Sequence, residues 1–322
     1  MIKNYNDMKI PIDFVCLTCC TCKRPKMLEK SLNSIKELII PQNIRVEILV
    51  VDNDSEKSAE KTVEKIKQEL NIPIHYKIEI ERGISNARNK ALEEVLELGA
   101  SHILFFDDDE ILDRNCLIEH INLYQNNKDT VISTGPTINK FIDKLPSYIT
   151  KHLVFKQKTS KRTGQIIDHS ACGNVFFPVS LIKDYNLRFS KEYTFMGGED
   201  GDFFKRAFAL GFTIVWNNEA VIYEMISKSR GNINWILKKC YYNGYAGIML
   251  KIKNEKNILN KLFILSKQLI VLIINCIILI PSIFFGLTNF LNILGIMIRT
   301  KGKIDAIIKT KPIDFYRNIY GE

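Results

Sequence analysis

The sequence predicts an α/β fold, a mostly parallel sheet with flanking helices, followed by a membrane-associated helical segment near its C-terminal end. Three observations predict it. Short apolar runs alternate with amphipathic stretches, the pattern of parallel strands joined by crossover helices. Polar motifs in residues 18–25, 52–55 and 107–110 follow apolar runs, and open α/β sheets bind ligands beyond the carboxyl ends of their strands. Residues 268–298 carry no charged side chain.

The elements follow in order. Residues 14–17 read as a first buried strand, and residues 25–38 as a helix with Pro25 in its first turn, where the missing N–H costs nothing. Residues 46–51 (VEILVV) form a second strand ending in Asp52-Asn53-Asp54-Ser55. Residues 58–70 are a charged surface helix, residues 74–80 a third strand, and residues 84–98 a helix closed by Gly99. A fourth strand, residues 103–106, runs into Asp107-Asp108-Asp109-Glu110. From about residue 130 the strands shorten and the loops become irregular, as expected of an acceptor-binding half built onto a nucleotide-binding half.

With 322 residues and 46% hydrophobic content, the chain can build a sizeable core without being a polytopic membrane protein. The net charge of +9 is uneven. Residues 225–322 hold 15 Lys/Arg against 4 Asp/Glu, a balance of +11, which leaves −2 for the rest. Residues 1–9 are polar and no signal peptide is expected, so the eight cysteines read as reduced thiols of a cytosolic compartment. Cys16, Cys19, Cys20 and Cys22 lack a second pair at zinc-ligand spacing and read as small buried residues at a strand end.

The uncharged stretch is interrupted by Pro281, Gly286 and Gly295. A straight span needs about 20 apolar residues, so the stretch exceeds one crossing and falls short of two. Lys256, Lys261 and Lys267 precede it, and Arg299, Lys301 and Lys303 follow. Both flanks then prefer the cytoplasmic face, and a re-entrant or shallow hairpin bent near Pro281 satisfies this. A buried pair of core helices is the competing reading. The basic end lacks aromatics interleaved on a compact basic module and abuts an apolar segment, which favours an anionic membrane surface over nucleic acid.

Four adjacent acids at a strand end repel one another and need compensation. A divalent cation bound jointly with a diphosphate would supply it, because hard Mg²⁺ or Mn²⁺ prefers carboxylate and phosphate oxygens. A solvated loop is the alternative. Glu199-Asp200 lies in a second acidic motif after Gly197-Gly198, just before a helix at residues 203–210. One carboxylate there suits a general base, while Asp202 suits a helix cap.

Residues 16–25 (CLTCCTCKRP), 50–55 (VVDNDS), 81–89 (ERGISNARN), 105–110 (FFDDDE), 172–178 (CGNVFFP) and 197–202 (GGEDGD) together resemble the family 2 glycosyltransferases of GT-A fold. The likeness is nearest to the succinoglycan-type glucosyltransferases and runs in order through residues 10–245. It implies that Asp52 holds the uracil, with Thr18 and Arg24 nearby, and that Arg82 and Arg88 line the nucleotide. Asp107 corresponds to the ribose-side acid of the DxD motif, with Asp108 on the nucleotide-sugar side, and Asp109 to the metal ligand. Asn174 falls in an acceptor-side element, and Asp200 matches the catalytic base with Glu199 beside it. Glu224 and Arg230 match an element near the diphosphate, with Glu224 taken as a further metal ligand. Trp235 fits an acceptor-side aromatic, and a core position suits it equally. Cysteines stand in the first loop where relatives have Thr or Tyr, which leaves the base contacts open.

The implied reaction is an inverting, metal-dependent transfer of a hexose from a UDP-sugar to a lipid-linked or cell-surface glycan, at the cytoplasmic face of the membrane. The chain then divides into a catalytic domain (1–245), a basic juxtamembrane segment (246–267), a hydrophobic segment (268–298) and a basic tail (299–322). A sugar-nucleotide nucleotidyltransferase would carry a Gly- and Lys-rich phosphate loop, and Lys23-Arg24-Pro25 has no such glycines. A non-catalytic membrane-associated binding protein would have no need of the intact acid motifs.

Overall fold

The computed structural model describes residues 10–127, 131–156, 161–253 and 255–308. The end of the basic tail, residues 309–322, lies outside them.

The first half alternates β1 (Phe14–Thr21), α1 (Pro25–Ser34), β2 (Arg45–Asp52), α2 (Glu60–Glu69), β3 (Ile74–Ile78), α3 (Ile84–Leu98) and β4 (His102–Asp107). The four strands pair in parallel in the order β3-β2-β1-β4. Central strands covered on both faces are apolar throughout, so β1 and β2 read as continuous runs. Along β1, Val15, Leu17 and Cys19 pack toward α1 and α2, whereas Phe14 and Cys16 pack toward α3. Gly99 closes α3 in a left-handed conformation (φ 74°), as the sequence predicts.

The second half holds β5 (Glu110–Leu112), α4 (Cys116–Asn126), β6 (Ile132–Thr134), β7 (Thr137–Phe141), α5 (Ser147–Thr150), β8 (Ile166–Ile167), β9 (Val175–Pro178) and α6 (Ser180–Lys183). It continues through α7 (Glu199–Ala209), β10 (Ile214–Trp216), β11 (Ile222–Ile226) and α8 (Ile233–Ile252). β9 inserts antiparallel between β4 and β6, and β10 and β8 complete an eight-stranded mixed sheet among the described residues. β11 joins β5 and β7 in a second, three-stranded sheet.

Among the boundaries that differ from the sequence reading, two bear on the site. β1 runs four residues past Leu17, because buried cysteines behave as small apolar residues and pairing with β2 and β4 continues beside them. α7 begins at Glu199 rather than at residue 203. Gly197 and Gly198 take positive φ (78° and 97°), turning the chain so that the helix starts at once, and its first-turn acids complement the helix dipole.

The C-terminal region folds as α9 (Ile258–Ser282) and α10 (Leu287–Ile307), with the chain reversing between them just after Pro281. Residues 258–285 are long and apolar enough to cross a membrane, and few of them are buried. α10 instead packs along α8, and the expected domain division after residue 245 falls inside α8. Small residues bring these two helices together. A Cβ on Gly244 would stand 2.0 Å from the Arg299 carbonyl oxygen, and one on Gly302 would stand 2.2 Å from that of Tyr241. The buried-helix reading therefore describes α10, while α9 keeps an apolar exposed face. Gly244→Val should force the seam apart and lower unfolding free energy by about 1–3 kcal/mol in urea or thermal denaturation. An unchanged midpoint would mean that the helices do not depend on this close approach.

Candidate active site

The parallel register sets the site. Thr21 lies opposite Asp52, and Cys20 opposite Asp107, so β2, β1 and β4 end side by side. Beyond these ends opens a cleft of about 410 Å³. One wall is Asp107–Glu110, and another is formed by Gly198, Glu199 and Asp200 at the start of α7. Glu224, Arg230, Trp235 and Lys239 complete it from β11, the following loop and α8.

Three arginines each bridge two acids across this cleft. Arg24 places Nη1 2.5 Å from Asp108 Oδ1 and Nη2 2.5 Å from Asp109 Oδ2. Arg230 pairs with Asp109 and donates to Glu224 Oε1 at 2.9 Å. Arg88, itself buried, pairs with Glu199 and reaches Asp107 Oδ1 at 3.3 Å. The guanidinium fork suits this bridging, because its donors are planar and always charged. The sequence reading assigned the charge compensation to a cation; these arginines supply much of it.

Each carboxyl has its own electrostatic state. Burial pushes Asp108 up to about 6 against the pull of Arg24, and Thr21 Oγ1 donates to its Oδ2 at 2.7 Å. Burial also opposes the charge on Asp109, but Arg230 and Arg24 outweigh it and hold that group down to about 2. Burial raises Glu199 to about 7 despite Arg88, and Asp200 beside it adds to the rise. Burial likewise drives Glu110 well up, and its Oε2 accepts the Asp107 N–H at 2.8 Å. Glu110 props the acid turn from beneath, and Gly173 makes room for it, since a Cβ there would stand 2.5 Å from Oε1.

The cleft therefore contains most of the expected residues: Arg24, Arg82, Arg88, Asp107, Asp108, Asp109, Glu199, Asp200, Glu224 and Trp235. Arg82 is exposed there, with no side-chain ion pair among the described residues. Trp235 is both wall and core, stacking on Phe155 with centroids 5.9 Å apart.

Three expected residues stand off the cleft wall. Thr18 lies inside β1 rather than in the first loop, fully buried, its hydroxyl donating to the Cys16 carbonyl at 3.3 Å. Asn174 is fully buried and structural. It donates to the carbonyls of Pro136 (3.1 Å) and Ala220 (2.7 Å) and takes a His120 contact at 2.8 Å, joining β9 to its neighbours. Asp52 lies beneath the wall, where Oδ2 accepts from Ala59 N–H and Tyr76 hydroxyl, both at 2.8 Å, and Oδ1 has no partner.

The sequence reading missed Thr21, Asn53 and Lys239. Asn53 accepts from Gly83 N–H at 2.7 Å and donates to the carbonyls of Glu79 and Glu81, both at 2.9 Å, so it shapes the loop of residues 79–83. Lys239 follows Trp235 by four residues on α8, a spacing that shares one helix face and was open to detection.

Asp107, Asp109 and Glu224 offer hard oxygen donors suited to Mg²⁺ or Mn²⁺. Among the described residues no three His, Cys, Asp or Glu side chains approach closely enough to hold an ion alone. The donor set fits a cation that takes the rest of its oxygens from a bound diphosphate.

Residues 15–185 match the model of the family described as Glycosyl transferase family 2. The chain is 26% identical over 225 residues to the succinoglycan biosynthesis protein ExoM of Rhizobium meliloti (strain 1021), covering 70% of this chain and 71% of that one. Among solved structures it resembles residues 1–349 of TarS from S. aureus in complex with UDP-GlcNAc. The TM-score is 0.53 at 13% identity, over 96% of this chain and 99% of that one. It also resembles the mannosyltransferase PcManGT from Pyrobaculum calidifontis in complex with GDP-Man and Mn²⁺, with a TM-score of 0.55 at 17% identity, over 77% and 69% of the two chains. Strand order, acid-lined cleft and family match lead to one assignment: the chain is a glycosyltransferase and belongs to glycosyl transferase family 2.

Proposed function

We propose that the protein transfers a hexose from a UDP-sugar, UDP-glucose-like, to a hydroxyl of a lipid-linked or cell-surface glycan at the cytoplasmic membrane face, with inversion at the anomeric carbon. One observation carries the reading: the arginine-clamped acids Asp107–Asp109 and the helix-start carboxylate Asp200 line one cleft. The UDP-GlcNAc held by TarS supports the donor class, and the role of ExoM in succinoglycan biosynthesis supports a glycan acceptor. The Mn²⁺ in PcManGT supports a cation.

Asp52 Oδ1 is an unpaired acceptor suited to a base N–H. Arg82, Arg24 and Arg230 offer guanidinium donors to phosphate oxygens, the geometry in which arginine binds most firmly. Asp109 and Glu224, with Asp107 beside them, would hold Mn²⁺ or Mg²⁺, which when bound would supply positive charge to neutralise the departing nucleoside diphosphate. Asp200 takes the proton of the acceptor hydroxyl while that oxygen attacks the anomeric carbon from the face opposite the leaving group. Its Oδ1 is fixed by the Gly201 N–H at 2.6 Å, and Glu199 is held aside by Arg88. Positioning and charge stabilisation then account for catalysis, with no second carboxylate required as a covalent nucleophile.

Asp200→Asn should lower kcat by about 10²–10⁴-fold with UDP-sugar affinity retained in calorimetry; near-normal turnover would remove Asp200 as base. Chelation with EDTA should abolish UDP release from labelled UDP-sugars, and added Mn²⁺ should restore it; undiminished release would exclude the cation. Because Glu199 is raised from 4.5 to about 7, its contribution to stability is present below the lower value and is lost as pH rises through the higher. Between about pH 5 and about pH 8, wild type should therefore lose unfolding free energy relative to Glu199→Gln. A difference independent of pH would contradict the raised Glu199.

A further inference from the structure

α9 is patterned in reverse of a helix on a water-facing surface. Its outward side carries Leu259, Phe263, Ile270, Ile273, Ile277 and Ile280, all more than half exposed, and the turn beyond it adds Phe284 (88%) and Phe285 (75%). Its packed side holds polar groups instead. Asn275 and Ser282 are buried, satisfied by the carbonyls of Val271 (2.7 Å) and Leu279 (2.5 Å). Apolar side chains outward and polar ones inward minimise free energy against hydrocarbon, not against water.

The topology decides how such a helix meets a bilayer. A spanning helix must leave its two ends on opposite sides. Both ends of α9 stay on the catalytic domain: Ile264 packs into the cluster built around α8, and nine residues after Ser282 the Leu291 carbonyl lies 3.1 Å from His152 Nε2. α10 then follows α8 through Gly295 and Gly302. With a rise of about 1.5 Å per residue, the 25 residues of α9 run about 38 Å along α10.

We propose that α9 lies in the plane of an anionic bilayer, its outward face and the Phe284–Phe285 turn embedded in the acyl–headgroup boundary, without crossing. This deepens, and rests on, the membrane-surface reading above. Charge complementarity supports lipid over a second protein copy. Lys256 precedes α9 and Lys261 and Lys267 lie in its first half, and the Lys267 ammonium sits 4.1 Å over the Phe263 ring, which places positive charge beside the apolar face at headgroup level. The first turns of α10, just beyond the embedded turn, connect to the site. Leu153 N–H donates to Asn292 Oδ1 at 2.9 Å, and nearby Phe155 stacks on Trp235 of the cleft wall, so bilayer contact presents the acceptor side of the cleft to a lipid-borne substrate.

The test uses the full chain with vesicles of phosphatidylcholine alone or mixed with phosphatidylglycerol. Wild type should co-sediment with the mixed vesicles, and Ile277→Asp/Phe284→Asp/Phe285→Asp should bind at least about ten-fold more weakly while retaining UDP affinity. A fluorophore on Cys276, the exposed thiol of the eight, should be quenched by shallowly brominated lipid. Fluorophores placed through Leu259→Cys, Ile270→Cys and Ile280→Cys should report one shared shallow depth. A midplane depth at residue 270 with shallow ends would overturn the in-plane seat in favour of a span. Shielding of Cys276 by dimerisation without lipid would assign the face to a second copy and overturn the proposal. Absent vesicle binding with UDP release intact would sink the surface alone, whereas vesicle binding without UDP-sugar affinity would sink the donor reading alone.

Discussion

Carboxylates crowded into one cleft can stay charged only if something of opposite sign lies between them, and the rest of the site depends on how that is arranged. Here three guanidiniums do it, each spanning two acids: Arg24 joins neighbours within the acid run, while Arg88 and Arg230 join that run to acids of α7 and β11. Arg24 comes from the loop after β1, Arg88 from α3 and Arg230 from the loop after β11. The same contacts that balance charge therefore tie the two halves of the chain together. Buried pairs of this kind contribute little net stability, because desolvation offsets much of the attraction. What they secure is position, and catalysis by charge stabilisation needs donors and acids already in place.

The sheet provides the frame for that arrangement. Parallel pairing brings the ends of β1, β2 and β4 level, so residues distant in sequence become neighbours at one edge. Close packing then refines the placement. Gly83, at φ 130° with Thr194 Cγ2 1.9 Å from where its Cβ would stand, fits its loop against the segment before α7. Gly197 and Gly198 bring Glu199 and Asp200 into the first turn of that helix. The acids do not share a charge state. Asp109, beside two arginines, stays ionised, whereas Glu199, buried against one arginine and near Asp200, sits close to neutrality.

The C-terminal helices show a second division of environment. Glycines let α10 approach α8 to backbone contact, which buries an apolar segment that hydropathy alone assigns to the membrane. α9, covering this pair, turns its apolar residues outward and its asparagine and serine inward. The helix nearest the domain thus behaves as core, and the next one presents the surface.

Much of this was legible in the residues alone. The strand–helix alternation, the helix closed by Gly99, the acid run at a strand end, the acid pair after two glycines and the chain reversal near Pro281 all follow from local rules. Periodicity, backbone freedom and charge repulsion act within a few residues of each other. Tertiary structure decided the rest. β1 reaches Thr21 because β2 and β4 pair with it on both sides. Asn174 became a buried tie and Thr18 a strand residue because their neighbours come from remote segments. The partners of the acid run proved to be arginines 19 to 121 residues away, and α10 joined the core through glycines that meet backbone. Which side chain faces which depends on long-range register and packing, and no local pattern encodes those.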